Sequence, residues 1–304
     1  MHPWRRRVVR WIGLLILAYG VVLLVMMFLQ RSLMYPAVQS GPLPAPPGTT
    51  GQDVVATTAD GLTLHGWTFF DPADDDAARP VVIFLHGNGG NRGHRLRDVE
   101  MLARNGADVV LFDYRGYAEN AGSPSEAGLA EDARAIWSFV TETLHIPPEQ
   151  IVLYGESLGG GVAVKIAAEL SREGAPPGGL ILRSSFSSMD AAAAGHYPWL
   201  PVRLVLYDRY DSVGVIDEVT CPILVLHGDA DRVVPLELGR RLFAAAPDHS
   251  AAGIPKQFVL LPGAGHNDVL LTAEAEMSEA IAQFLDEVSA DHRPEDRTRE
   301  PIPL

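Results

Sequence analysis

Most of the chain alternates between short apolar runs of the kind found in buried strands and amphipathic stretches. The apolar runs read VVIFLH, ADVVLFD, IVLYG, GLILRSS, PILVLHG and QFVLLPG. The amphipathic stretches that separate most of them include residues 126–144, 162–170 and 273–288. This alternation predicts an α/β fold, in which a mainly parallel sheet is covered by helices on both faces. Residues 53–70 precede these runs and predict a β-hairpin, because apolar and polar positions alternate on both sides of Asp60 and Gly61.

The N-terminus contains one long uncharged apolar run. Residues 11–30, WIGLLILAYGVVLLVMMFLQ, carry no charge and, at about 1.5 Å per helical residue, match the roughly 30 Å hydrocarbon core of a bilayer. Four arginines precede the run and only Arg31 follows it closely, so the positive-inside rule predicts a cytoplasmic N-terminus and a remainder on the extracytoplasmic, periplasmic side. A cleaved signal peptide is the alternative, but the end of this run, MMFL, offers no small-x-small cleavage site. We therefore expect residues 1–30 to form a single-pass, uncleaved signal anchor.

Proline, glycine and acidic residues mark the segments that flank the periodic part of the chain. Residues 31–52 include YPAVQSGPLPAPPGTTGQ, a composition typical of a short, stiff tether. The run DPADDDAARP at residues 71–80 is typical of a solvated acidic loop. Residues 289–304 are polar and interrupted by proline, and we expect them to be a disordered tail.

Composition and charge exclude several classes of function. The chain has 304 residues, of which 47% are hydrophobic and 20% charged, as expected for a globular protein. Residues 1–30 hold four arginines and no acidic residue, so residues 31–304 carry a charge of −18 against −14 for the whole chain. A domain this acidic repels nucleic acid, and we expect no nucleic-acid partner. Cys221 is the single cysteine, which excludes an internal disulfide framework, and we expect it to be a buried structural thiol. We expect the protein to hold neither a metal nor a cofactor.

Reactive side chains follow the predicted strands where each strand ends. They are His86 in HGNGGN, Asp113 in DYRGY, Ser157 in GESLGG, two aspartates in HGDADR and His266 in PGAGHND. Because ligand sites in such sheets lie beyond the carboxyl ends of the strands, we expect these residues to lie at one edge of the sheet. A serine hydroxyl is a weak nucleophile and needs a base that is oriented by a third group. Ser157 and His266 can supply the first two, and Asp229 and Asp231 are the candidates for the third.

The order serine, acid, histidine, with G-x-S-x-G between a strand and a helix, resembles the α/β-hydrolase fold. HGNGGNRGHRL, DYRGYAENAGSPSEAGL, YGESLGGGVA and CPILVLHGDADRVVP together resemble the membrane-anchored α/β-hydrolases of the bud-emergence type, from the anchor to about residue 288. The resemblance implies a hydrolase domain over residues 53–288, with a short cap over residues 185–219.

The resemblance also implies a role for individual residues. Ser157 would be the nucleophile, His266 the base and Asp231 the acid that orients it. The backbone N–H groups of Leu158 and Asn88 would form the oxyanion hole. His86 is the alternative base, but the resemblance implies that it shapes the turn of the oxyanion loop. Glu156, beside the nucleophile, departs from the pattern, and its charge either tunes substrate choice or has no effect.

The cap contains a group of apolar side chains with two possible uses. They either line an acyl pocket or pack the cap onto the domain. The side chains are Phe186, Met189, Tyr197, Trp199, Leu200 and Leu204. An open site with aromatic walls near a bilayer suits an ester or thioester with an acyl chain of moderate length better than a large polar polymer.

Three functions are compatible with these observations. A carboxylic-ester or thioester hydrolase that forms an acyl-enzyme is favoured, with a small acyl ester as its substrate. A serine peptidase or amidase would use the same triad, but usually carries a propeller or a large lid that this chain does not encode. A non-catalytic, membrane-tethered binding protein would not need an intact serine, histidine and acid.

Overall fold

The computed structural model describes residues 3–37, 39–70 and 79–291. Within these ranges eight strands form one sheet, in the order β1-β2-β4-β3-β5-β6-β7-β8. The strands are β1 (Gly51–Thr57), β2 (Thr63–Phe69), β3 (Val81–Leu85), β4 (Asp108–Phe112), β5 (Ile151–Glu156), β6 (Gly179–Arg183), β7 (Ile223–Gly228) and β8 (Gln257–Leu261). The strands β3 to β8 pair in parallel, whereas β1 and β2 form the predicted hairpin and pair antiparallel at one edge. The prediction of a mainly parallel sheet is confirmed.

Helices cover both faces of the sheet, as predicted. They are α1 (Pro3–Met34), α2 (Leu96–Arg104), α3 (Glu126–Ser138), α4 (Leu158–Arg172), α5 (Met189–His196), α6 (Val202–Val205), α7 (Leu236–Ala245), α8 (Val269–Thr272) and α9 (Glu274–Asp291). Alternate residues of a strand point to opposite faces. In β3, Ile83 therefore belongs to the core cluster that contains residues of α3, α4 and α7, while Phe84 belongs to the cluster under α2 and α9.

The N-terminal helix α1 extends beyond the apolar run at both ends. It has 32 residues, and the most apolar 18-residue window has a mean hydropathy of 2.8. By length and composition it is able to cross a membrane. Its C-terminal end, at Met34, lies four residues inside the segment predicted to be a tether.

The described residues in the remainder of that segment, 35–37 and 39–52, differ from the predicted tether because they pack on the domain. Tyr35 is buried, and its hydroxyl lies 2.8 Å from the hydroxyl of Tyr210. The carbonyl oxygen of Leu43 accepts a hydrogen bond from Trp67 Nε1 at 3.2 Å. Proline and glycine prevented regular structure here, as their number suggested, but the apolar side chains between them bury surface against the sheet and the cap.

The ends of the hydrolase domain differ slightly from those expected. The first strand begins at Gly51, two residues before the predicted boundary, and α9 ends at Asp291, three residues after it. The remaining part of the predicted disordered tail, residues 292–304, lies outside the described residues. Residues 71–78 of the predicted acidic loop also lie outside them.

Candidate active site

Ser157 occupies a sharp turn between β5 and α4. Its φ of 51° and ψ of −112° are rare for a residue with a side chain and indicate backbone strain. The neighbouring glycines permit this turn, because a Cβ on Gly159 would lie 2.0 Å from the carbonyl oxygen of Leu85. A Cβ on Gly155 would lie 2.5 Å from the Cα of Gly160. The close approach of the neighbouring backbone therefore requires glycine at positions 155 and 159. The turn places the hydroxyl of Ser157 beyond the end of β5.

Ser157, His266 and Asp231 form a chain of hydrogen bonds. The Oγ of Ser157 lies 2.9 Å from Nε2 of His266, and Nδ1 of the same ring lies 2.7 Å from Oδ2 of Asp231. The other carboxylate oxygen of Asp231 accepts the backbone N–H groups of Val233 and Val234, each at 2.8 Å. The side chain of Asp231 is buried and fixed at both oxygens. Such a carboxylate holds the imidazole in one tautomer, with Nε2 free to accept the serine proton.

Asp229 has a different set of partners. It is exposed, and its Oδ1 accepts the backbone N–H of Gly263 at 2.7 Å. This bond joins the loop after β7 to the turn after β8. Of the two aspartates in HGDADR, Asp231 therefore contacts the imidazole of His266, and Asp229 binds the turn after β8.

Two other histidines near the site are packing residues in the structure. His227 is buried, with Nε2 at 2.9 Å from the carbonyl oxygen of Val234, and burial lowers its pKa. His86 is fully buried, with Nδ1 at 2.7 Å from the carbonyl oxygen of Gly87 and Nε2 at 3.4 Å from Asp113. Both rings hold loops in place rather than facing Ser157.

The two residues predicted to form the oxyanion hole lie in one cavity with Ser157. Leu158 is the first residue of α4, so its backbone N–H belongs to the positive end of a 15-residue helix. Asn88 lines the same cavity and is held from two directions. Its side-chain amide donates to the carbonyl oxygen of Met34 at 2.9 Å, and its own carbonyl accepts the hydroxyl of Tyr117 at 3.0 Å. This arrangement can stabilise negative charge that develops beside Ser157.

Glu156 belongs to a buried ionic network behind the oxyanion loop. Its Oε2 accepts Arg95 Nε at 2.6 Å and the backbone N–H of Gly87 at 3.2 Å, and its Oε1 lies 3.3 Å from Arg183. Arg183 also pairs with Asp98. Burial alone would raise the pKa of Glu156, but Arg183 and Arg95 outweigh burial and lower the pKa to about 2. Glu156, which departs from the family pattern, therefore holds the backbone at Gly87, just before Asn88.

Ser157 lies where two cavities with different linings meet. An apolar cavity of about 230 Å³ extends towards the cap and α1. A more polar cavity of about 690 Å³ extends the other way; its lining combines Arg95, Arg97 and Asn267 with apolar side chains such as Leu270. Both cavities are lined by Ser157 and Asn88. An ester bound across the serine would therefore have one apolar and one polar end.

Four of the six apolar cap residues singled out from the sequence line the apolar cavity: Phe186, Met189, Tyr197 and Leu200. Trp199 and Leu204 do not line this cavity, so the first of the two predicted uses does not hold for them. The Trp199 side chain is 52% exposed, and its carbonyl oxygen accepts the hydroxyl of Tyr19. Leu204 is 83% exposed. Trp199 lies in the turn between α5 and α6, and Leu204 lies on the exposed side of α6.

The opposite wall of the apolar cavity comes from α1, which sequence reasoning missed. The residues of α1 that line it are Met26, Gln30, Leu33 and Met34. A signal was present in the spacing of Met26, Gln30 and Met34, which lie four residues apart on one face of a helix otherwise rich in leucine and valine. Flexible methionine side chains are common where a surface must adapt to an apolar ligand.

No group of three or more histidine, cysteine, aspartate or glutamate side chains placed to hold a metal ion occurs in the part of the chain that the structure describes. Cys221 is buried, and burial raises the pKa of its thiol to about 12. This agrees with the structural thiol expected from the sequence.

Known proteins share this fold and much of this sequence. A family described as alpha/beta hydrolase fold matches residues 80–178. The uncharacterized protein Rv2307c of Mycobacterium tuberculosis is 40% identical over 276 residues, which cover 90% of this chain and 93% of that protein. The chain belongs to the α/β-hydrolase family. The lysophosphatidylserine lipase ABHD12 of Danio rerio is 32% identical over 226 residues, covering 69% of this α/β hydrolase but only 59% of the lipase.

Solved structures support the same assignment at the level of the fold. An α/β hydrolase from Vibrio vulnificus superposes with a TM-score of 0.62 at 24% identity, covering 80% of this chain and 81% of that one. An esterase from Pyrococcus furiosus superposes with a TM-score of 0.63 at 19% identity, covering 83% and 98%. At these identities the likeness concerns the fold alone.

Proposed function

We propose that this α/β hydrolase is a serine hydrolase that cleaves carboxylic esters or thioesters through an acyl-enzyme. The observation that carries the proposal is the hydrogen-bonded chain from Ser157 through His266 to Asp231, which opens onto an apolar cavity. A nucleophile, a base within hydrogen-bond reach and a group that orients the base are what acyl transfer by serine requires. The relative ABHD12 of Danio rerio, a lysophosphatidylserine lipase, supports the same class.

In the proposed reaction the Oγ of Ser157 attacks the carbonyl carbon while its proton passes to Nε2 of His266. The negative charge on the carbonyl oxygen is stabilised by the backbone N–H groups of Leu158 and Asn88. The tetrahedral intermediate then expels the alcohol or thiol, which takes the proton from His266. A water molecule attacks the acyl-enzyme in the same way, and the carboxylic acid leaves as Ser157 regains its proton.

The two cavities support a substrate with unlike ends. The acyl chain would occupy the apolar cavity between Phe186, Leu200 and the α1 side chains, and the leaving alcohol would face the polar cavity. The apolar cavity, at about 230 Å³, lies below the roughly 300–1,000 Å³ usual for ligand pockets. We therefore propose acyl chains of short to medium length.

Membrane attachment is the second part of the proposal. The helix α1 carries Arg5, Arg6, Arg7 and Arg10 at its start and an uncharged run of 20 residues behind them. We propose that it is a single-pass signal anchor, that the catalytic domain lies on the periplasmic side, and that the protein belongs to the membrane-anchored, bud-emergence-type subfamily. The four arginines before the run, against Arg31 alone close behind it, support this orientation.

Hydrolysis of p-nitrophenyl esters of increasing chain length, beside peptide anilides, tests the substrate class. The full-length protein in mild detergent should hydrolyse short and medium esters fastest and anilides weakly. Met26→Trp fills the apolar cavity and should lower kcat/KM for medium chains at least about tenfold more than for acetate, because acyl methylenes are excluded. Phe28→Trp, on the exposed side of the same helix, is the matched control. Faster turnover of anilides than of esters would favour a peptidase instead.

A further inference from the structure

The cap carries an unusual amount of exposed apolar surface. Four of its large side chains are exposed, with exposed fractions of 42%, 52%, 83% and 58%: Tyr197, Trp199, Leu204 and Tyr207. We call these four residues the apolar cap surface. The segment that carries them, YPWLPVRLVLY, holds a single charged residue, Arg203. Several large exposed apolar side chains in one short segment indicate a site of interaction.

The same segment of the cap is bound to α1 over several turns. The hydroxyl of Tyr19 donates to the carbonyl oxygen of Trp199 at 2.8 Å. Further along α1, the side chain of Gln30 donates to the carbonyl oxygen of Val205 and accepts the backbone N–H of Tyr207. From Leu23 to the end of α1 the partly buried residues lie on one helical face: Leu23, Met26, Met27, Gln30 and Met34.

The length of α1 determines how deep these contacts lie. Between the last arginine of the N-terminal group, Arg10, and the first residue bonded to the cap, Tyr19, only eight residues remain. Eight helical residues span about 12 Å, whereas the hydrocarbon core is roughly 30 Å thick. A membrane-spanning α1 must therefore include residues 19–30, which extend about 18 Å further. The cap contacts α1 at both ends of this stretch, at Tyr19 and at Gln30.

We propose that the apolar cap surface is inserted into the bilayer leaflet on the side of the catalytic domain, so that esters enter the apolar cavity laterally from the lipid. The inference rests on the proposed anchoring by α1 and deepens the proposed ester hydrolysis. Tyr207 is bonded to Gln30 at the end of the uncharged run, which is the depth of the membrane interface that tyrosine favours. The cavity reaches the same depth, since Met26 and Gln30 of α1 line it opposite Leu200 of the cap.

Apolar contact rather than charge would drive this insertion. Residues 31–304 carry a charge of −18, which disfavours anionic headgroups. Arg31, at the end of the spanning run, is already paired with Asp208 at 2.9 Å. We therefore expect insertion into phosphatidylcholine that changes little between low and high salt.

Depth-dependent quenching in phosphatidylcholine nanodiscs tests the inference on the full-length protein. Leu204→Cys is labelled with an environment-sensitive fluorophore; Cys221 is buried and stays unlabelled. Val55→Cys is the control, because Val55 is also exposed (52%) but lies on the edge strand β1. We expect nitroxides on the lipid chains to quench the label at position 204 and aqueous iodide to quench the label at position 55.

The outcomes separate this inference from the function on which it rests. If iodide quenches both labels equally while the protein resists extraction by alkaline carbonate, anchoring stands and cap insertion is overturned. If carbonate releases the protein, the anchor and the inserted cap are both overturned. An activity assay adds a second readout: Leu204→Glu should lower the ratio of activity on a membrane-embedded ester to that on a soluble ester at least about tenfold. Val55→Glu should not change this ratio, and an unchanged ratio in Leu204→Glu would contradict lateral entry.

Discussion

Asp231 binds His266 through one carboxylate oxygen, at 2.7 Å, while its other oxygen is held by two backbone N–H groups. In Asp231→Asn the remaining oxygen can keep the backbone contacts, so the amide N–H₂ faces Nδ1 of the ring. The ring then takes the tautomer in which Nε2 carries the proton and cannot accept one from Ser157. We predict that kcat falls at least about a thousandfold, since the equivalent loss in a serine protease costs about 10⁴. Steady-state kinetics on a p-nitrophenyl ester measures this.

Asp229→Ala is the matched control for Asp231→Asn. It removes the exposed bond to the backbone of Gly263, which contributes about 1 kcal/mol to the free energy of unfolding. The melting temperature should fall by about 2–4 °C, while kcat stays within the same order of magnitude. An inactive Asp229→Ala beside an active Asp231→Asn would reverse the assignment of the acid.

The position of the site in the fold was predictable because it follows from the sheet. Ser157, Asp231 and His266 each come after a different apolar run, and the parallel strands β5, β7 and β8 bring the ends of those runs to one edge. The steric need for glycine beside Ser157 was predictable as well. The choice between Asp229 and Asp231 depended on the course of two loops, which the residues alone left open.

Gly159 tests the close approach of α4 to the sheet. Alanine at this position would place a Cβ 2.0 Å from the backbone oxygen of Leu85, and neither backbone can move without breaking strand pairing. We predict that Gly159→Ala lowers the free energy of unfolding by at least about 3 kcal/mol or prevents folding. Gly195, in α5, has no atom within 4 Å of its Cβ position, so Gly195→Ala should be neutral or stabilise by up to about 1 kcal/mol. Similar melting temperatures for the two variants would refute the steric argument.

The ionic network around Glu156 predicts a loss of stability in acid. Its folded-state pKa, about 2, lies below the ordinary value of 4.5, so the ionised form stabilises the fold above pH 4.5. This contribution falls as the pH decreases from 4.5 towards 2. The melting temperature of Glu156→Gln should be lower at pH 6 and should depend less on pH in that window than that of the wild type. Glu142→Gln, at an exposed position, should keep the wild-type dependence; equal pH dependence in Glu156→Gln would contradict the role of the network.

The proposed orientation in the membrane predicts the behaviour of a fusion protein. A reporter that is active only outside the cytoplasm, joined after Leu304, should be active, and the protein should keep its full length after export. Replacing the four arginines before residue 11 with glutamine should reduce reporter activity, since they determine the orientation. Activity of a second fusion, whose reporter works only in the cytoplasm, would overturn the orientation. A shortened secreted product would overturn the anchor.

The packing of α1 and of residues 35–37 and 39–50 on the domain was not predicted from the sequence. A helix rich in leucine, valine and methionine satisfies the pattern for a membrane span on every face, so the pattern does not show that Met26 and Met34 line a cavity. The turns around Leu43 contain proline and glycine, which indicate irregular backbone but not its partners. Both features depend on contacts between residues far apart in the chain, such as Tyr35 with Tyr210.

Covalent labelling with a fluorophosphonate tests the central claim, that Ser157 is an activated nucleophile, most directly. The wild-type protein should be labelled stoichiometrically, with the label mapped to the peptide that contains Ser157. Ser157→Ala loses one hydrogen bond to His266, worth about 1 kcal/mol, so its melting temperature should stay within about 4 °C of the wild type. We predict that this folded variant takes up no label and hydrolyses no ester, whereas stoichiometric labelling of Ser157→Ala would show that another residue is the nucleophile.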